Sequence, residues 1–115
     1  MAAPNNETPR STAQWHSAAL EQLESGHMED ALRSLRRAVE LDPRAWRAWN
    51  DLGVVLEALG NRRDALHCYR QALRAAPDAD EPRRNLMLLA LGLSLARSLE
   101  MAPPRRSRAL LATAR

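Results

Sequence analysis

Between Leu86 and Ala96 the chain reads LMLLALGLSLA, eleven residues without a charge. On a helix of 3.6 residues per turn these positions divide into two stripes. Leu86, Leu89, Leu93 and Ala96 form one; Leu88, Leu91, Leu95 and Leu99 form the other. The run falls well short of the about 20 apolar residues that span a hydrocarbon core. Arg83, Arg84 and Arg97 bracket it, so lengthening it would bury a guanidinium. A helix that is apolar over most of its circumference is normally buried. This one is predicted to pack its first stripe on the preceding structure and to present the second.

Upstream, shorter amphipathic segments alternate with start and stop signals, and they predict helices over 12–25, 29–42, 46–59 and 62–75, ahead of 81–101. Ser11-Thr12-Ala13-Gln14 is a capping-box pattern in which Ser and Gln satisfy each other's free N–H groups. Gly26 and Gly60 stand where a helix should stop, because glycine takes the left-handed conformation at low cost. Glu29, Asp30 and Asp64 complement the helix dipole near the starts of the next helices. Pro43 and Pro77 follow their ends, since the residue before proline disfavours the helical region. The chain has no Phe and no Ile and is rich in Leu and Ala, so strand formers are scarce. The fold class is all-α.

The pattern also repeats. Trp15 recurs as Trp49, Gly26 as Gly60, Ala31 as Ala65, Ala38 as Ala72 and Pro43 as Pro77, each 34 positions on. Each unit reads as two antiparallel helices. Small residues (Ala19, Gly53, Ala31, Ala65, Ala38 and Ala72) fall where the two must approach closely, and Trp15, Trp49, Leu35, Leu52, Leu56 and Tyr69 fill the wider gaps. Read as a core deletion, Trp49→Ala is expected to cost about 3–5 kcal/mol. A third unit would place Arg83 where Trp belongs and Ser94 where Gly belongs, and Pro103-Pro104 follow too soon for a second helix. Residues 81–101 therefore read as a lone capping helix, of the kind solenoid ends require.

These residues resemble the tetratricopeptide repeat signature, W-x2-L-G-x2-Y, then A-x3-F, then P. Unit two supplies Trp49-x2-Leu52-Gly53-x2-Leu56, Ala65-x3-Tyr69, Ala72 and Pro77. Unit one supplies Trp15-x2-Ala18-Ala19-x2-Gln22, Ala31-x3-Leu35, Ala38 and Pro43; its Gln22 stands where a large apolar group belongs and weakens the expected packing of the first helix. The resemblance implies an α-solenoid of two 34-residue repeats, 12–45 and 46–79, with a capping helix at 80–102. A disordered arm, 1–11, and a basic flexible tail, 103–115, are expected to flank it. It further implies a protein–protein interaction module, an adaptor or scaffold, whose inner face is lined by the first helix of each unit. Carried over, those positions are Ala13, His16, Leu20 and Leu23, then Arg47, Asn50, Val54 and Glu57, then Arg84, Leu88 and Leu91. Apolar at its centre with Arg44, Arg47 and Arg84 at its edge, this face suits an apolar or amphipathic peptide segment. The carboxylate clamp of some family members is not expected: its positions hold His16, Leu20, Asp51, Glu81 and Asn85, and the chain has no Lys. Homo-oligomerisation through the second Leu stripe is the main alternative.

Charge and chemistry alter this picture little. Arg105, Arg106, Arg108 and Arg115 lie in the tail without an acid, leaving 13 arginines against 14 acids over residues 1–101. The basic character belongs to the tail, where attachment to nucleic acid or an anionic membrane is the only such candidate and, lacking stacking aromatics, is not the expected one. Ala109 to Leu111 could alternatively plug the exposed stripe. Cys68 is the sole cysteine, and the N-terminus lacks an apolar targeting segment, so a reducing, cytoplasmic setting is expected. His67 and Cys68 diverge as helix neighbours, and His16 and His27 lie on another hairpin, so no metal, cofactor or catalytic grouping is expected.

Overall fold

The computed structural model describes the backbone of residues 9–101 and the side chains of residues 9–93. It contains α1 (Thr12–Glu24), α2 (Met28–Leu41), α3 (Trp46–Ala58), α4 (Arg62–Ala75) and α5 (Asp80–Met101), with no strand among the described residues. Every boundary lies within one residue of the sequence expectation. The arm before residue 9, the tail after 101 and the suggested plug at Ala109–Leu111 lie outside the described residues.

The helix ends follow from local chemistry. The Ser11 N–H donates to Gln14 Oε1 at 2.7 Å and the Gln14 N–H to Ser11 Oγ at 3.2 Å, closing the capping box. Gly26 (φ 79°) and Gly60 (φ 88°) are left-handed, a conformation that costs a Cβ-bearing residue about 1–2 kcal/mol. There the His27 N–H donates to the Gln22 carbonyl and the Asn61 N–H to the Leu56 carbonyl, the same bond made twice, 34 residues apart.

Packing repeats as well. α1 pairs with α2 and α3 with α4; α2 then meets α3, and α4 meets α5. Ala19, Ala31, Leu35, Ala38, Leu52, Val55, Leu56, Ala65 and Tyr69 belong to one buried cluster, and Leu89 joins it from the cap. Gly53 is required by close approach: a Cβ there would lie 2.5 Å from the Tyr69 ring.

Two expectations need correction. Trp15 and Trp49 are not in the core; both are half-buried and pack against its edge. Trp49 is also fastened from outside, its indole Nε1–H donating to the Pro43 carbonyl at 2.7 Å. Nor does Gln22 loosen the first hairpin. The buried Ser34 hydroxyl donates to Gln22 Oε1 at 2.7 Å, so a polar pair stands where unit two places Leu56 and Cys68. Among the described residues, no buried side-chain N or O lacks a partner.

Candidate functional site

Because the units are in register, side chains 34 apart line up across α1, α3 and α5. Polar contacts tie these helices together on that side. His16 Nε2 lies 2.6 Å from Asp51 Oδ2, joining α1 to α3. One repeat on, Asn85 Nδ2–H donates to Asn50 Oδ1 at 3.0 Å, joining α3 to α5. Asn50 in turn donates to Glu81 Oε2 at 3.4 Å.

The expected inner-face residues therefore separate into two groups. Leu20, Val54 and Leu88 form one exposed row across the three helices, at 43%, 45% and 61% relative exposure. In the next row Leu91 is exposed, Leu23 is half-buried against the core, and Glu57 accepts a hydrogen bond from the Tyr69 hydroxyl at 2.7 Å. Ala13, Arg47 and Arg84 are exposed. Asn50 is buried and engaged with Glu81 and Asn85, and half-buried His16 is engaged with Asp51, so both hold the helices together. Leu86 and Leu93 rest on the core beside Leu89, whereas Leu88 and Leu91 face outward; Leu95, Ala96 and Leu99 lie beyond the described side chains.

A cleft opens where α1 begins against the turn between α2 and α3, lined by His16, Asp42, Arg44, Trp46 and Arg47 among others. The Arg47 guanidinium lies 4.5 Å from the centre of the Trp46 ring, a cation–π contact that holds the charge at the cleft. Sequence reasoning gave Trp46 no role. Its signal was a break in the repeat: the positions 34 away hold Thr12 and Asp80. Along α3, Arg47 precedes Val54 by seven residues, or about 10 Å at 1.5 Å per residue.

Burial, reinforced by the charge of Asp64, pushes the Cys68 thiol up to about 12, so it stays protonated and inert near neutrality. Burial likewise raises the Tyr69 hydroxyl, and its hydrogen bond to Glu57 adds to the shift. Among the described residues, no group of three or more His, Cys, Asp or Glu could hold a metal ion, and no helix is long and apolar enough to cross a membrane.

Family models and solved structures agree with this architecture. Two tetratricopeptide repeat models match residues 16–61 and 46–79. A crystal structure of MamA matches with TM-score 0.70 and 20% identity over 74% of this chain and 50% of the MamA chain. A second MamA structure matches with TM-score 0.70 and 19% identity over 76% and 48%. The chain thus spans about half the length of the MamA chains. A solution structure of a tetratricopeptide repeat domain protein from Salinibacter ruber matches with TM-score 0.59 and 26% identity, over 84% of this chain and 97% of that one. A search of curated proteins returned no match. With two in-register repeats that together cover more than half of its residues, the chain belongs to the tetratricopeptide repeat family.

Proposed function

We propose that this protein is a protein–protein interaction module that binds an extended apolar or amphipathic segment across α1, α3 and α5. The exposed row Leu20, Val54 and Leu88 carries this reading. Three large aliphatic side chains aligned by the repeat and left in solvent form the kind of strip that a partner covers. Arg44 and Arg47 at the neighbouring cleft favour an acidic group at one end of that segment. Tetratricopeptide repeats act by binding protein partners, which supports the reading of this chain as an adaptor or scaffold; a cytoplasmic setting is part of the same proposal.

Selection of binding peptides from a random displayed library, followed by titration on Leu20→Ser/Val54→Ser, tests the proposal. Peptides enriched in aliphatic residues should bind the parent and bind the double variant at least tenfold more weakly, with helicity unchanged. Equal affinity for both proteins would overturn the reading.

A further inference from the structure

α5 continues the repeat as a first helix. Arg83 occupies the Trp49 position and makes the same bond, its Nη2 donating to the Pro77 carbonyl at 3.1 Å as Trp49 donates to that of Pro43. The Asn85–Asn50 bond repeats the Asp51–His16 contact. α1 and α3 are each covered by a second helix, whereas on α5 Met87, the counterpart of Gly53, is 56% exposed, and Ala90, the counterpart of Leu56, is exposed too. Among the described residues nothing stands where α2 and α4 stand.

We infer that this outer side of α5 is a docking seat for an acidic amphipathic helix of a partner protein, which completes a third hairpin. This surface adjoins but differs from the row proposed above to bind an extended segment. The register sets what fits. α4 brings Tyr69 down onto Gly53 and bonds it to Glu57; the seat has Met87 and Leu91 at those positions, leaving neither space nor an acceptor for a tyrosine. Unit one pairs Gln22 with Ser34 at the position where the seat has Ala90. An occupant therefore carries a large aliphatic residue facing Ala90 and a small one facing Met87, the reverse of Cys68-Tyr69 in α4.

Charge selects among occupants. In the existing interface Arg36 and Glu40 of α2 border a cleft with Asp64 and Cys68 of α4. One repeat on, their counterparts beside the seat are Arg70 and Arg74, both exposed. Two cations border the seat where a cation and an anion border α4, so an acidic helix is attracted and a basic one repelled. The chain's own segment 105–108, with three arginines, is the wrong charge.

The probe is a fluorescein-labelled α4 peptide, residues 62–75, carrying Cys68→Leu and Tyr69→Ala, with Arg62, Arg63, Arg70 and Arg74 all replaced by Glu. Anisotropy should show binding, with helix gained by circular dichroism, and at least tenfold weaker binding to Arg70→Glu/Arg74→Glu. A second peptide that retains Tyr69 should bind Met87→Gly at least tenfold more tightly than the parent, whereas Met87→Ala, which keeps a Cβ where the ring must sit, should gain less. Leu20→Ser/Val54→Ser should retain the acidic peptide, which separates this seat from the extended row. Matched melting temperatures verify the variants' folds. No binding up to millimolar peptide, indifference to the charge swap, or indifference of the Tyr69 peptide to Met87→Gly would overturn the inference. So would binding only after removal of residues 102–115, or concentration-dependent dimerisation that excludes the peptide; the seat would then belong to the tail or to a second copy.

Discussion

His16 and Asp51 meet at 2.6 Å across α1 and α3, and the repeat carries that contact forward as Asn85 donating to Asn50 across α3 and α5. The same two positions in consecutive units thus hold successive first helices together, with a His–Asp pair at one step and a pair of amides at the next. They differ in burial: Asn50 is 2% exposed, whereas the His16 and Asp51 side chains are 21% and 27% exposed. Removing the Asn50 amide should therefore cost more than breaking the partly solvated pair. Asn50→Ala is expected to lose about 1–3 kcal/mol, because it removes a buried, fully bonded amide and leaves half-buried Asn85 without its acceptor. A double-mutant cycle between His16→Ala and Asp51→Ala should give a coupling of about 0.5–1 kcal/mol. Urea midpoints measure both, and a larger His16–Asp51 coupling than Asn50 loss would contradict this ranking.

Gly53 and Tyr69 are fitted to each other, at the positions that fully buried Ala19 and Leu35 occupy in unit one. Gly53→Ala places a Cβ 2.5 Å from the Tyr69 ring and should cost about 1–3 kcal/mol as overpacking, despite the better helix propensity of alanine. Tyr69→Leu added to it restores the unit-one combination. The double variant should be more stable than the sum of the two single losses predicts, which thermal or urea unfolding of all four proteins will show.

What could be read from the sequence was whatever the 34-residue period controls. Helix bounds, the left-handed glycines and the small positions at the close approach follow from local chemistry applied twice, and the inward placing of Leu86, Leu89 and Leu93 follows from the helical period. The candidate surface was only partly legible. Leu20, Val54 and Leu88 are apolar and exposed, but nothing in a wheel diagram says that Asn50 is buried or that Glu57 is engaged by Tyr69, because those contacts join different helices. The tryptophans misled for a related reason. A large aromatic at a signature position reads as core, yet Trp49 reaches over the hairpin edge to the Pro43 carbonyl. Its truncation should accordingly cost about 3 kcal/mol, at the bottom of the core-deletion range.

The polar pair in unit one offers a second exchange between repeats. Ser34→Ala leaves Gln22 without its donor at a partly buried site and should cost about 1 kcal/mol. Replacing both partners by their unit-two counterparts, Gln22→Leu with Ser34→Cys, removes the hydrogen bond and its desolvation together. That double variant should be neutral or stabilising, as read from the urea midpoint. Stability below that of Ser34→Ala alone would show that the pair contributes more than its own satisfaction.

Cys68 ties stability to alkaline pH. Its thiol is held at about 12 in the folded chain, against 9.0 for a free thiol, chiefly because burial disfavours the thiolate. The unfolded chain therefore loses this proton first. The contribution is fully present below pH 9 and is lost as pH rises from 9 towards 12, the direction required when the folded value is raised. At pH 10 the loss should be about 1 kcal/mol. Tyr69 is raised in the same sense, so its contribution fades over a range beginning near pH 10 and steepens the fall there. Urea unfolding of the parent and of Cys68→Ala at pH 7, 9 and 10 isolates the thiol. Their difference should be constant between pH 7 and somewhat below 9, then shift towards the alanine variant by pH 10. Parallel curves throughout would mean that the thiol is as free to ionise in the folded chain as in the unfolded one.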